Sequence, residues 1–173
     1  QGQSMASAEI FDPAAGKWSV VAGMAQARHN HTATLLPDSS VLVVGGLSDG
    51  KLLSAAELFD PTSGEWQQLP DMSGPRQMHT ATLQADGTVL VAGGLRTNQG
   101  ASSVTEVFSP EEVKWTPTGL LAEGRYAHTA TLLADGRLVV VGGFGYSALS
   151  SAEVYAGASG GWFSARNVAA LNR

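Results

Sequence analysis

A chain of 173 residues with a net charge of -5 and no cysteine excludes disulfides, thiolate metal sites and cysteine nucleophiles. Its three Lys and seven Arg form no basic run, so no nucleic-acid partner is expected, since phosphate backbones are bound through clustered cations. No apolar run approaches the roughly 18 residues that span a bilayer and no secretory leader pattern is present, so membrane insertion is not expected.

Only 14% of residues are charged and 21 are glycine, against about 25% charged in an average domain. That profile suits a β protein with tight turns. Taken in order, residues 1 to 8 read as a loop. Ala8 to Trp18, AEIFDPAAGKW, reads as a strand, a turn and a second strand opening at the Trp. Asp-Pro supplies the turn, because Pro presets its own φ and Asp bonds the nearby backbone. The stretch returns at Ala56 to Trp66, Thr105 to Trp115 and Ala152 to Trp162, the last copy having Ala156 and Gly157 in place of Asp-Pro.

Between these copies lies HTATLLPDSSVLVVGG, His31 to Gly46. It recurs as HTATLQADGTVLVAGG from His79 to Gly94 and HTATLLADGRLVVVGG from His128 to Gly143. Two apolar runs around a polar turn read as a β-hairpin. The intervals are fixed: nine residues from Glu to Trp, thirteen from Trp to the next His, and fifteen from His to the second Gly. Length varies only between the second Gly and the next Glu, which is eleven, twelve or ten residues. Each unit is therefore strand a (from His), strand b (ending Gly-Gly), a variable loop, strand c (around Glu) and strand d (from Trp).

Four antiparallel strands in a period of 47 to 49 residues fit one blade of a β-propeller, for which a kelch period is about 50. The HTATLL hairpin, the double glycine and the later Trp resemble bacterial kelch repeats over essentially the whole chain. The expected fold is all-β: three full four-stranded blades and a half blade, a segment of a larger ring of six or seven blades, because each blade buries its faces against two neighbours. The boundaries read as residues 1–23 for strands c and d of a preceding blade, 24–71, 72–120 and 121–166 for three blades, and 167–173 for the start of another. Remaining blades of that ring, or partner chains, are expected partners.

Arg28, Arg76 and Arg125 stand three residues before His31, His79 and His128. They lie where strand d leads into strand a, on the same end of the blade as the variable loops. In eukaryotic kelch adaptors the Arg at a similar place reads acidic peptides, so the resemblance makes these three candidate ligand contacts; guanidinium suits bidentate carboxylate recognition. The competing reading pairs each with a blade Glu, since buried charges are usually paired. Glu9, Glu57, Glu106 and Glu153 need such partners, and His, Arg and backbone amides all stay open. The histidines read as hydrogen-bonded within their own blades rather than as a zinc set, because repeats reuse a residue for shared structure. No metal or other cofactor is expected.

Within the variable loops Asp49, Lys51, Arg96, Asn98, Gln99 and Tyr146 differ from blade to blade and are further candidate ligand contacts. The pairs Gly45 and Gly46, Gly93 and Gly94, and Gly142 and Gly143 read as structural, permitting close approach or positive φ. A G-x-G-x-x-A spacing at Gly143, Gly145 and Ala148 lacks the helix that a dinucleotide site requires. Trp18, Trp66, Trp115 and Trp162 read as blade-to-blade packing.

The expected role is non-catalytic binding of a protein or a glycan through the loop face. A sialic-acid-epimerase-like enzyme and a purely structural part of a larger surface protein are the alternatives. Copper-radical chemistry of the galactose-oxidase type is ruled out without cysteine for its cross-linked cofactor. The resemblance to bacterial kelch proteins and the low Lys content imply a secreted, cell-surface or periplasmic location.

Overall fold

The computed structural model describes residues 3–97, 100–157 and 161–165. Strands β1 (Ala8–Asp12) and β2 (Lys17–Val21) pair as a two-stranded antiparallel sheet. The first four-stranded sheet runs β3 (Thr32–Leu35), β4 (Val41–Val44), β7 (Ala56–Asp60) and β8 (Glu65–Leu69) in that spatial order. A second repeats it with β9 (Thr80–Leu83), β10 (Val89–Ala92), β13 (Val104–Ser109) and β14 (Lys114–Leu120), and a third with β15 (Thr129–Leu132), β16 (Leu138–Val141), β17 (Ala152–Tyr155) and β18 (Trp162–Ser164). These are three complete propeller blades beside a half blade, with every ladder antiparallel. No described helix is long and apolar enough to cross a membrane.

Turn chemistry explains the hairpins. Asp12 and Asp60 each accept a backbone N–H two residues on at 2.8 Å, and Gly16 and Gly64 close the same turns at positive φ. In the a–b turns Asp38, Asp86 and Asp135 make the equivalent bonds to Ser40, Thr88 and Arg137. Such carboxylates stand in for backbone acceptors where the ladder is interrupted.

The core lies between blades, not inside them. Strand β10 shows why: Val89 and Val91 pack with Leu42, Val44 and Phe108 against the first blade. Leu90 and Ala92 point the other way, joining Leu138, Val140 and Tyr155 of the third. Period-two alternation sends successive side chains to opposite faces, and because both faces are covered the strand reads as an unbroken apolar run. The middle blade is thus sandwiched, with Val89 and Val91 wholly buried. The inner strands β3, β9 and β15 stand side by side around the common axis.

The b–c loops carry small ladders of their own. Strands β5 (Leu47–Ser48) and β6 (Lys51–Leu52) flank an Asp49-Gly50 turn with both residues at positive φ, as two-residue hairpins demand. Strands β11 (Leu95–Arg96) and β12 (Gly100–Ala101) pair in the second blade. Bridges from His29 to Leu47, Gln77 to Leu95 and Tyr126 to Phe144 tie each d–a connection to the b–c loop of its blade. Both sets of loops therefore emerge at one end.

Candidate functional site

Three arginines approach this end from below. Arg28, Arg76 and Arg125 have side chains with no exposed surface, each ion-paired to a glutamate of strand c in its blade: Arg28 to Glu57, Arg76 to Glu106 at 2.6 Å and Arg125 to Glu153 at 2.7 Å. The second guanidinium nitrogen donates to the carbonyl of the first Gly of the pair and to one at the start of strand c. For Arg76 these are Gly93 O at 3.2 Å and Val104 O at 3.1 Å. Glu57, Glu106 and Glu153 also accept backbone N–H groups of the d–a connection, from Ala25, Ser73 and Ala122. Each Arg–Glu pair thus pins the connection, strand b and strand c together.

This corrects the ligand-contact reading of the three arginines. A guanidinium with no exposed surface presents nothing to a partner, and removing its carboxylate would strand a buried charge, a loss of roughly 3–5 kcal/mol. Burial pushes the Arg76 guanidinium down from its usual value, and Glu106 opposes that shift. Among the possible partners of the glutamates, Arg and backbone amides are the ones used. Glu9 differs: it is exposed and has no ion pair among the described residues.

The histidines are corrected too. Their hydrogen bonds run between blades rather than within them: His79 Nε2 lies 2.9 Å from Thr32 Oγ1 of the first blade, and His128 Nε2 lies 2.9 Å from Thr80 Oγ1 of the second. The rings press on the double glycines. A Cβ at Gly45 would fall 2.7 Å from His79 Cε1, and one at Gly93 would fall 2.9 Å from His128 Cε1. Burial, with nearby Arg76 and Arg125 adding to it, holds His79 at about 3 and His128 at about 4, so both are neutral at pH 7. Among the described residues no group of three or more His, Asp or Glu side chains is placed to hold a metal ion.

The residue before each His, Asn30, Met78 and Ala127, sits at positive φ between 51° and 54°. Met78 N donates to Asn30 O at 3.1 Å and Ala127 N to Met78 O at 2.9 Å, a backbone relay from blade to blade around the channel mouth. The tryptophans cross the same boundaries further out. Trp66 Nε1 donates to Ala22 O at 2.7 Å and Trp115 Nε1 to Pro70 O at 2.8 Å, while Trp162 Nε1 reaches Thr105 Oγ1 at 3.1 Å. Trp18 packs on Phe11 and stays 66% exposed.

What remains free at the loop end is individual to each blade. Asp49 and Lys51 are exposed at the first hairpin tip. Arg96 is half-buried, its guanidinium lying over Gly74, where a Cβ would clash with Nη2. Asn98 and Gln99 lie outside the described residues. In the third blade Tyr146 is fully exposed, and Phe144, 47% exposed, stacks on Tyr126 with ring centroids 5.8 Å apart. Beside them Gly100, Ala101, Glu123, Gly124, Gly145 and Tyr146 line a cleft of about 150 Å³. Phe144 and Tyr126 were not singled out by sequence reasoning. Their signal was there: they replace Leu47 and Leu95, and His29 and Gln77, at equivalent repeat positions.

A family model, the Kelch motif, matches residues 27–73. The match spans one period, and the ion pair, the double glycine and the Trp bond that mark that period recur in the blades that follow. Residues 27–73 are thus a kelch repeat, set in a segment of four-stranded blades of the β-propeller kind. No curated protein matches it significantly. Kelch repeats generally mediate protein interactions, and here the repeated Arg and Glu side chains are engaged in holding the blades together.

Proposed function

We propose that this kelch segment is a non-catalytic binding module that takes a protein or a glycan on the face formed by its b–c loops and d–a connections. The observation that carries this reading is the half-exposed Phe144 stacked on Tyr126, with the fully exposed Tyr146 two residues on lining a small cleft at the loop end. Exposed aromatics supply large contact area at low conformational cost and dominate binding energy at protein interfaces. An epimerase-like reading would draw on channel Arg and Glu side chains, and those repeated in the blades are buried in mutual ion pairs. A location outside the cytoplasm accords with the same reading, since glycans and surface proteins are met there.

Screening the chain against a glycan array and a displayed peptide library identifies the ligand class. Replacing Tyr146 by Ala is then expected to weaken the selected ligand by about tenfold or more with the unfolding midpoint unchanged. Undiminished binding by Tyr146→Ala and Phe144→Ala together would place recognition elsewhere.

A further inference from the structure

The loop end carries an internal comparison between the second and third blades. Gly74 and Glu123 each stand five residues before the His of their blade, and Arg96 and Gly145 each stand two residues after its Gly-Gly pair. In the second blade the two places meet, because the Arg96 guanidinium lies over Gly74. Arg96 is half-buried there although no carboxylate pairs with it among the described residues. This corner of a blade therefore accommodates a guanidinium.

The third blade has the reverse inventory at the same corner. Gly145 contributes no side chain, and the d–a connection facing it supplies the carboxylate of Glu123, so the corner is the open cleft of about 150 Å³ that also touches Gly100, Ala101, Gly124 and Tyr146. Its walls are bare backbone: a Cβ at Gly124 would strike Ala101 O, and one at Gly145 would lie 3.2 Å from Gly124 O. Glu123 is exposed, yet its carboxylate is aimed. Ser151 Oγ donates to Glu123 Oε2 at 3.0 Å while accepting from Arg125 Nη2 at 3.1 Å. The other oxygen, Oε1, has no hydrogen bond and Glu123 no ion pair among the described residues, and no other charged side chain among them lines the cleft. Tyr146, fully exposed, borders the same space. A carboxylate and an aromatic ring are the two kinds of side chain that hold a guanidinium, one through charge-assisted N–H bonds and the other through its π face.

We infer that this cleft is a receptor for an arginine side chain of a partner protein, Glu123 accepting from its guanidinium and Tyr146 covering the cation. The inference rests on the binding-module reading above and narrows it, since an arginine is presented by a protein and not by a glycan. Charge complementarity decides against an acidic ligand: Arg28, Arg76 and Arg125, which would read one, are buried in ion pairs, while the Glu123 carboxylate is free to pair. The chain's net charge of -5 favours approach of a basic partner as well.

Titrating the isotope-labelled chain with N-acetyl-arginine methylamide, followed by NMR, tests the cleft. Saturable amide shifts are expected at Gly100, Gly124, Gly145 and Tyr146, and the citrulline analogue, which keeps the shape but lacks the charge, should bind about tenfold more weakly. Glu123→Gln should weaken the arginine probe by about tenfold and Tyr146→Leu by about threefold. The unfolding midpoint of either variant should stay in place, because both side chains are exposed. No saturable shift at these amides, equal binding of the citrulline analogue, or binding that Glu123→Gln leaves intact overturns the inference. The broader reading is judged separately: a ligand from the array or the library that needs Tyr146 but not Glu123 upholds the binding module and overturns the arginine site.

Discussion

At the scale of single residues the histidines set the acid limit of this structure. His79 and His128 are held near 3 and 4 by burial first and by neighbouring guanidinium groups second, against an ordinary value of 6.5. Lowered folded values mean that the unfolded chain takes up protons the native chain refuses. Stability is therefore fully present above about pH 6.5 and declines as pH falls from there toward 4, by about 1.4 kcal/mol per pH unit for each histidine. Urea unfolding at pH 7, 6, 5 and 4 measures the slope. His79→Gln leaves a neutral amide facing Thr32 and should lower stability at pH 7 yet flatten the slope by one histidine's share. An unchanged slope in that variant would mean that His79 is protonated in the fold and that its burial has been misjudged.

At the scale of strands and their joints, Trp is worth something only where a preceding blade receives it. Trp115 donates to Pro70 O across a blade boundary, whereas Trp18 has its indole largely in solvent. Replacing Trp115 by Phe should cost roughly 1 kcal/mol or more, the net value of the lost bond plus packing, while Trp18→Phe should stay within about 0.5 kcal/mol of the parent. Equal losses would show that the indoles act within their own sheets. The strand order, the blade count and this packing role were legible in the sequence because they rest on side chains that recur at fixed intervals. The direction of the His bond was not, since one spacing serves a partner in the same blade or in the preceding one equally well. Nor was the strained turn before each His, where Asn30, Met78 and Ala127 share a backbone conformation but no side-chain chemistry. The third Trp departs from the pattern for a local reason: a bulge between Thr105 and Glu106 changes the register of β13 on β14, and Trp162 bonds the Thr105 hydroxyl instead of a carbonyl. Arg28, Arg76 and Arg125 were visible as a repeated set, but whether they face a ligand or a carboxylate depended on burial, which spacing does not report.

For the molecule as a whole, stability should be graded along the ring rather than uniform, because a repeat array gains most where a blade is covered on both sides. Strand β10 is covered by the first blade on one face and the third on the other, with Val89 and Val91 wholly buried. Strands β1 and β2 contain no buried residue and pair only with each other, leaving Phe11 46% and Val20 78% exposed. Local opening draws on the buried apolar contacts of the segment that opens, so the half blade should open at a much smaller free energy than β10. Native-state hydrogen exchange is expected to show amides of β1–β2 exchanging fastest among the sheet residues and those of β10 slowest. Exchange of both strands through one common opening would instead mean that the blades unfold as a single unit, and that the half blade draws its stability from the whole ring segment rather than from its own neighbour.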